Sequence, residues 1–314
     1  MRADHREPKG GRAAEGADGA VAIVGAGALG TLLASLLPSA GAPVRILARR
    51  PERMAALRFE APEATATAEP SALFPASLVL VCVKAYHTEE AADLIAEPLA
   101  GAPAPVASLQ NGWGHMEALA RLLPASPLLA GATTLGAYWD DGGRYHTSPG
   151  GSTVFAPWTR GAELAAAEAA RRFHAAGLAA ETAPNGREVL WRKLVLNVAV
   201  NPLTAIRGVP NGALRAAPDL WALALAAARE AVAVGVARGH LARSYDPEPL
   251  LDRLLRDTAS NRSSMAQDFA RGRRTEADAI LGALLREADA AGVPAPVAAS
   301  LDTLLADLGA SRRD

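Results

Sequence analysis

The chain has 314 residues, half of them apolar, which is enough for about two domains at ~150 residues each. Its 32 Lys+Arg nearly cancel its 33 Asp+Glu, leaving a formal charge of −1; this argues against a nucleic-acid partner, which needs a net basic face. A single cysteine, Cys82, excludes a disulfide framework, and no CxxC or His/Cys cluster suggests a metal.

Residues 1–18 are small and charged and lack an apolar stretch, so they read as a disordered tail and not as a targeting segment. The longest apolar span, 220–237, is interrupted by Arg229 and Glu230, and neither half is long enough to cross a bilayer. The expectation is a cytoplasmic protein without a membrane partner. From residue 20, apolar runs at 20–24, 44–48, 78–83, 104–108 and 128–131 read as strands. Helical spacing at 30–37, 89–99 and 115–123 separates them. Such alternation predicts a parallel sheet covered on both faces. Cys82 lies in one of these runs and reads as a small buried hydrophobe. Segments 133–138, 144–147 and 152–155 predict antiparallel strands around a turn at 140–143. Beyond Asn185 the strand signals stop. Alanine-rich helices are expected over 187–201, 218–239, 246–259, 264–290 and 294–308. The boundary falls near 184–186, giving residues 19–184 and 185–314 as two domains with a ligand cleft between them.

Gly25, Ala26, Gly27, Ala28, Leu29 and Gly30 follow the first strand and open the first helix. This GxGxxG spacing suits a dinucleotide. Gly25 allows the turn, Gly27 lets the backbone approach a pyrophosphate, and Gly30 lets helix and strand pack closely. The fold class is therefore an α/β Rossmann-type N-terminal domain followed by an all-α C-terminal domain. Where an NAD site carries an acidic residue after the second strand, this chain has Arg49 and Arg50. A guanidinium matches a 2′-phosphate better than a hydroxyl, which points to NADP. Solvation of both arginines at a strand end is the plainer alternative.

The segment 190–201 is the most informative. From Lys193 onward its only polar side chains are Lys193, Asn197 and Asn201, four residues apart and so on one helical face. Apolar residues fill the rest of the circumference, so the helix is expected to be buried. Its polar stripe must then face partners, most simply a ligand-filled cleft. Pro202 is expected to kink or end the helix. An amine in such a cleft has its pKa lowered toward neutrality and suits a general acid for carbonyl reduction.

With these motifs in view, the chain resembles the 2-dehydropantoate 2-reductases (ketopantoate reductases) over about residues 20–308. The resemblance rests on residues 25–30, 83–85, 110–114, 190–194, Asn197, 201–205, 210–212, 263–265 and 274–276. It implies NADPH-dependent reduction of a small 2-oxo acid, 2-dehydropantoate, to (R)-pantoate in pantothenate and coenzyme A synthesis. It further implies that Lys193 is the proton donor and that Asn197, Asn201, Asn211 and Ser264 bind substrate. Asn111 would stand where nicotinamide and substrate meet. Lys84 and the backbone of Ala137 would lie on the cofactor side, and Glu276 near the nicotinamide ribose and the substrate.

Each of several positions also has a plainer role. Asn111-Gly112 is an ordinary turn pair, and Lys84 could be solvated at a strand end. Ser264 to Gln267 fits a capping box, and Glu276 could pair at the surface with Arg271, Arg273 or Arg274. Leu281 and Ala298 replace asparagines usual in the family, and Ala277 replaces an isoleucine, which keeps a paralogue acting on another 2-oxo acid in view. Two further alternatives are a dehydrogenase of a β-hydroxy acid or polyol phosphate, and a catalytically silent NADP-binding sensor. The uncharged stripe speaks against a phosphorylated substrate, and the retained lysine against a sensor. The alanine-rich helices would suit a homodimer surface and internal packing alike.

Overall fold

The computed structural model describes residues 19–310 except Asp141 and Pro149; the expected tail at 1–18 lies outside the described residues. An eight-stranded sheet organises the first half, in the order β10-β9-β6-β5-β4-β1-β2-β3. Its strands are β1 (Val21–Val24), β2 (Val44–Leu47), β3 (Thr65–Thr67), β4 (Leu78–Val81), β5 (Val106–Ser108), β6 (Leu128–Thr133), β9 (Ser152–Pro157) and β10 (Ala179–Thr182). β3 to β6 run parallel through β1 and β2, whereas β9 pairs antiparallel with β6. The strands up to β6 are parallel and β9 is antiparallel to β6, both as expected, while β10 runs parallel to β9. A separate hairpin joins β7 (Ala137–Trp139) and β8 (Tyr145–Thr147).

Helices α1 (Ala28–Leu36), α2 (Pro51–Glu60), α3 (Thr88–Gly101), α4 (His115–Leu122) and α5 (Glu163–Ala175) complete this half. The central strands are buried on both faces, which explains their unbroken apolar runs. Ala22, Val24, Val79 and Val81 point into one core, and Val21, Ile23, Leu78 and Leu80 into the other. Elements α2, β3, α5 and β10 were not expected from the sequence. β3 and β10 are edge strands of the sheet, and the weakly apolar α2 buries only Leu57.

The second half is helical: α6 (Gly186–Arg207), α7 (Asn211–Ala216), α8 (Pro218–Ala237), α9 (Glu248–Asp257), α10 (Ser264–Ala270), α11 (Ala283–Ala291) and α12 (Pro296–Ala310). α6 begins where the Asn185 side chain accepts from the amides of Arg187 and Glu188, and ends at left-handed Gly208. Of the kink or end expected at Pro202, the end does not occur, since the helix continues to Arg207. Its neighbours Val200, Asn201, Leu203, Thr204 and Ala205 are all buried, and packing on both sides of the proline outweighs the one backbone bond it removes. The single helix expected over 264–290 is broken instead. α10 ends at Arg271, Gly272 takes φ +62°, and a π-helical turn (Asp278–Gly282) precedes α11.

α6 is the axis of this half and packs on α8, α10, α12 and strand β6. Its Trp191 is fully buried and donates its indole N–H to the Ala231 carbonyl at 2.9 Å. The apolar α8, with mean hydropathy 1.6, is long enough to span a membrane; here Leu220, Ala224, Ala227, Ala228, Ala231 and Val234 face the core. A Cβ on Gly235 of α8 would collide with the Trp191 indole. Gly235→Ala is therefore expected to cost about 1–3 kcal/mol of stability through overpacking. Urea denaturation checks this; an unchanged midpoint would show that Trp191 can yield.

Candidate active site

One cleft of about 1280 Å³ runs between the sheet and the helical half. It lies at the carboxyl ends of β1, β4, β5 and β6, around the point between β1 and β4 where the strand order reverses, the usual ligand crevice of such sheets. Gly25 takes φ +115°, and a Cβ there would come within 2.9 Å of the Val83 nitrogen. A Cβ on Gly30 would strike the Gly25 carbonyl. At Gly27 the nearest atom is the Cys82 carbonyl oxygen at 4.0 Å, so the loop leaves open space where a ligand backbone would approach. α1 starts at Ala28 without a side-chain cap, which leaves its first amides to a ligand. Tyr145 donates from its hydroxyl to the Ala28 carbonyl at 2.9 Å, laying the β7–β8 hairpin across the loop. Ala137 and Trp139 of that hairpin line the cleft. Arg49 also lines it, in an ion pair of 2.7 Å with Glu90.

The opposite wall is the polar stripe of α6. Lys193, Asn197 and Asn201 all face the cleft, separated by Leu196 and Val200. Burial lowers the Lys193 pKa to about 8, against the opposing pull of the Glu276 carboxylate. Two amide atoms here are buried without a partner among the described residues: Asn197 Nδ2 and Asn211 Oδ1. The orientation of Asn211 follows from its neighbours. Thr258 gives its only proton to the Leu254 carbonyl at 2.7 Å, so it can only accept from Asn211 Nδ2, at 2.9 Å. That leaves the Asn211 oxygen as an unpaired acceptor. The α10 cap is Ser263, which accepts from the Ala266 amide at 3.1 Å. Ser264, for which the cap was the plainer alternative to substrate contact, is exposed in the cleft with its hydroxyl uncommitted to the helix.

Between the walls sits Glu276, only 6% exposed. It accepts from Lys84 Nζ at 3.3 Å, from the Ala85 amide at 3.1 Å and from Asn111 Nδ2 at 3.2 Å. The plainer alternative, a surface pairing with nearby arginines, therefore gives way to a buried junction. Arg273 pairs with Asp268 at 2.9 Å, and Arg274 lies 4.3 Å over the Tyr86 ring. Lys84 also binds Asp268 at 2.7 Å. Burial alone would lower the Lys84 pKa, but Glu276 and Asp268 outweigh it and raise it. Sequence reasoning missed Asp268; its position four residues after Ser264, on the same face of α10, was the available signal. It also missed His115, buried at the start of α4 with neither ring nitrogen partnered among the described residues. Burial, with Lys193 nearby, lowers its pKa to about 3 and keeps it neutral.

Cys82 packs, partly buried, against the core at the cleft floor, and burial pushes its thiol up to about 12, which disfavours the nucleophilic thiolate. Leu281 and Ala298 are fully buried and do not touch the cleft. Among the described residues no cluster suits a metal ion. The near-zero net charge also hides a local excess, since nine Lys and Arg side chains but three carboxylates line the cleft. Lys9, Lys84 and Lys193 are the only lysines in the sequence. Carbon-13 NMR of ε-labelled lysine should thus show one resonance titrating near pH 8, absent in Lys193→Ala, and one above the ordinary value. Three resonances all titrating near 10.4 would contradict this electrostatic description.

Residues 21–160 match the family model described as ketopantoate reductase PanE/ApbA, and residues 185–308 match its C-terminal counterpart. A 2-dehydropantoate 2-reductase of Archaeoglobus fulgidus is 35% identical over 293 residues, covering 91% of this chain and 96% of that protein. The solved PanE/ApbA family ketopantoate reductase of Ralstonia eutropha JMP134 is 32% identical with a TM-score of 0.82, covering 94% of this chain and all of that one. A D-mandelate dehydrogenase solved with NADH and anilino(oxo)acetate shares the fold at 23% identity, with a TM-score of 0.85 over 94% of this chain and all of that one. An α/β sheet with a glycine loop, a helical half carrying a lysine–asparagine stripe, and these matches along nearly the whole chain identify it as a member of the ketopantoate reductase PanE/ApbA family of oxidoreductases.

Proposed function

We propose that the protein is a cytoplasmic enzyme that reduces 2-dehydropantoate to (R)-pantoate with NADPH, serving pantothenate and coenzyme A synthesis. The observation that carries the reading is the pair of unsatisfied amide atoms in the cleft that Lys193 lines: a donor on Asn197 and an acceptor on Asn211. Each buried unpaired polar atom costs about 1–3 kcal/mol, so a substrate that pairs both is favoured over one that does not. 2-Dehydropantoate carries acceptor oxygens at one end and a hydroxyl donor at the other. Asn197 donates to the oxo-acid end in this reading, Asn211 accepts from the hydroxyl, and Ser264 donates to the carboxylate. Leu196, Val200 and Leu254 offer apolar contact for the methyl groups between them.

The open space at Gly27 and the uncapped start of α1 fit the pyrophosphate of a nicotinamide dinucleotide. Gly25 to Gly30, Arg49, Lys84 and Ala137 would hold it, with Asn111 and Glu276 near its nicotinamide end. When bound, the reduced nicotinamide supplies a hydride to the substrate's C2 carbon. Lys193 gives its proton to the C2 oxygen as that bond is reduced, and returns as a neutral amine to be reprotonated from water. Its lowered pKa makes this donation easier than from an ordinary ammonium while keeping most of the group protonated at pH 7. Glu276 helps hold the ammonium form and fixes Asn111 through the 3.2 Å bond.

NADPH oxidation followed by absorbance tests the reading, with 2-dehydropantoate beside 2-oxoisovalerate and pyruvate. 2-Oxoisovalerate lacks the hydroxymethyl group and should be at least on the order of 10²-fold poorer in kcat/KM, because it leaves Asn211 unpaired. Equal or better turnover of the unhydroxylated acids would assign the protein to a different 2-oxo acid. Lys193→Ala should lower turnover 10²–10⁴-fold, roughly 3–5 kcal/mol of transition-state stabilisation. An effect below about tenfold would remove Lys193 from the role of acid.

A further inference from the structure

Gln110 lies two residues beyond β5 and immediately before Asn111, and it is only 3% exposed. It lines the cleft, yet every polar atom of its side chain is engaged within the protein. The Val83 carbonyl can only accept, so the amide nitrogen must face it, at 3.1 Å. The second proton of that nitrogen goes to the Thr88 hydroxyl at 2.8 Å, and this hydroxyl gives its own proton to the Ala85 carbonyl at 2.7 Å. The amide oxygen accepts from the Ser108 hydroxyl at 3.0 Å. Ser108 and Thr88 are buried as well. A single arrangement of donors and acceptors therefore satisfies the whole network, from Ser108 at the end of β5 to Ala85 after β4.

The carbonyls at the far end of this network, Val83 and Ala85, flank Lys84. Gln110 thus fixes the peptide groups on either side of Lys84 and, through its own backbone, the start of Asn111. Lys84 Nζ, the Ala85 amide and Asn111 Nδ2 are the three donors that the Glu276 carboxylate receives. On its other side the Asn111 loop is tied to the segment of Glu276 itself, because the Trp113 amide donates to the Ala279 carbonyl at 2.9 Å. An aliphatic side chain of the same length would fill the space of Gln110 but would deprive the Val83 carbonyl of its donor and the Ser108 hydroxyl of its acceptor.

We propose that Gln110, with Thr88 as its second link, is a positioning residue that sets Lys84, Ala85 and Asn111 in the geometry the Glu276 carboxylate requires. Its polar atoms are all engaged, so it acts through Asn111 and Glu276 and not by contact with substrate. A misplacement of about 1 Å at such a junction costs on the order of 10²-fold in rate. For its effect on rate the proposal rests on the reductase reading above; for its effect on Lys84 it does not.

Two measurements on Gln110→Met, Thr88→Val and Thr88→Ser test this, one of them without substrate. Methionine keeps the length of glutamine and valine the shape of threonine, but neither makes the bonds described. With 2-dehydropantoate and NADPH, Gln110→Met and Thr88→Val should lower kcat about 10- to 100-fold and change KM less than about threefold. Thr88→Ser keeps the hydroxyl and should recover most of what Thr88→Val loses. In carbon-13 NMR of ε-labelled lysine, Lys84 titrates above the ordinary value in the wild type and should return toward it in Gln110→Met and Thr88→Val. Should Gln110→Met fail to fold, Thr88→Val carries the test. Wild-type rates with a wild-type Lys84 titration would overturn the proposal, even if the melting temperature fell, because the network would then only stabilise the fold. Either change without the other would overturn it too. A wild type inactive toward 2-dehydropantoate would instead overturn the proposed function, and the Lys84 titration would then decide the role of Gln110 by itself.

Discussion

The Glu276 carboxylate is the point on which the site's geometry depends. A carboxylate this buried survives only if its oxygens are fully engaged, and its partners come from the ends of two strands: Lys84 and Ala85 after β4, Asn111 after β5. Meeting that demand fixes the helical half against the sheet. The shared core does the rest, since Val24, Val81 and Ala130 of the sheet belong to the same apolar cluster as Leu194, Val198 and Leu281 of the helical half. The cleft is therefore a gap with both walls fixed. Asp268 doubles the connection by joining Lys84 to Arg273.

Within that gap the charge distribution is uneven by design of the sequence positions. Cations outnumber carboxylates nine to three in the lining, although the whole chain is close to neutral. Such a cleft attracts a polyanionic dinucleotide and a carboxylate substrate together. The two lysines divide the work through their surroundings. Lys84 is paired with two carboxylates and stays charged, while Lys193 lies among apolar residues with Glu276 as its counterweight. Similar side chains thus acquire opposite shifts, which is how one cleft can hold an anion at one place and release a proton at another.

Much of this was legible in the sequence, for reasons that differ by element. The glycine loop was readable because each glycine answers a local steric demand, and the collisions at Gly25 and Gly30 bear that out. The α6 stripe was readable because three polar residues interrupt an otherwise apolar helix at a spacing of four. Its length was not, because whether Pro202 ends a helix is decided by packing on both sides. The break after α10 was hidden for a similar reason: Gly272 in the left-handed conformation ends the helix, but the alanine-rich residues beyond it keep helical periodicity. Edge strands β3 and β10 were missed because half-exposed strands lack the continuous apolar signal. Glu276 was legible only by family resemblance, since its burial comes from partners about 165 to 192 residues away. The contact of Asp268 with Lys84 is likewise a product of tertiary structure, joining residues 184 positions apart.

The central claim is that Lys193, held near pH 8 by burial, delivers the proton. Its most direct test is the pH dependence of kcat/KM for 2-dehydropantoate reduction at saturating NADPH. The account predicts a plateau at lower pH and a tenfold fall per unit above about pH 8, as the ammonium form is lost. A rate that stays level to about pH 10, where an ordinary lysine titrates, would contradict it.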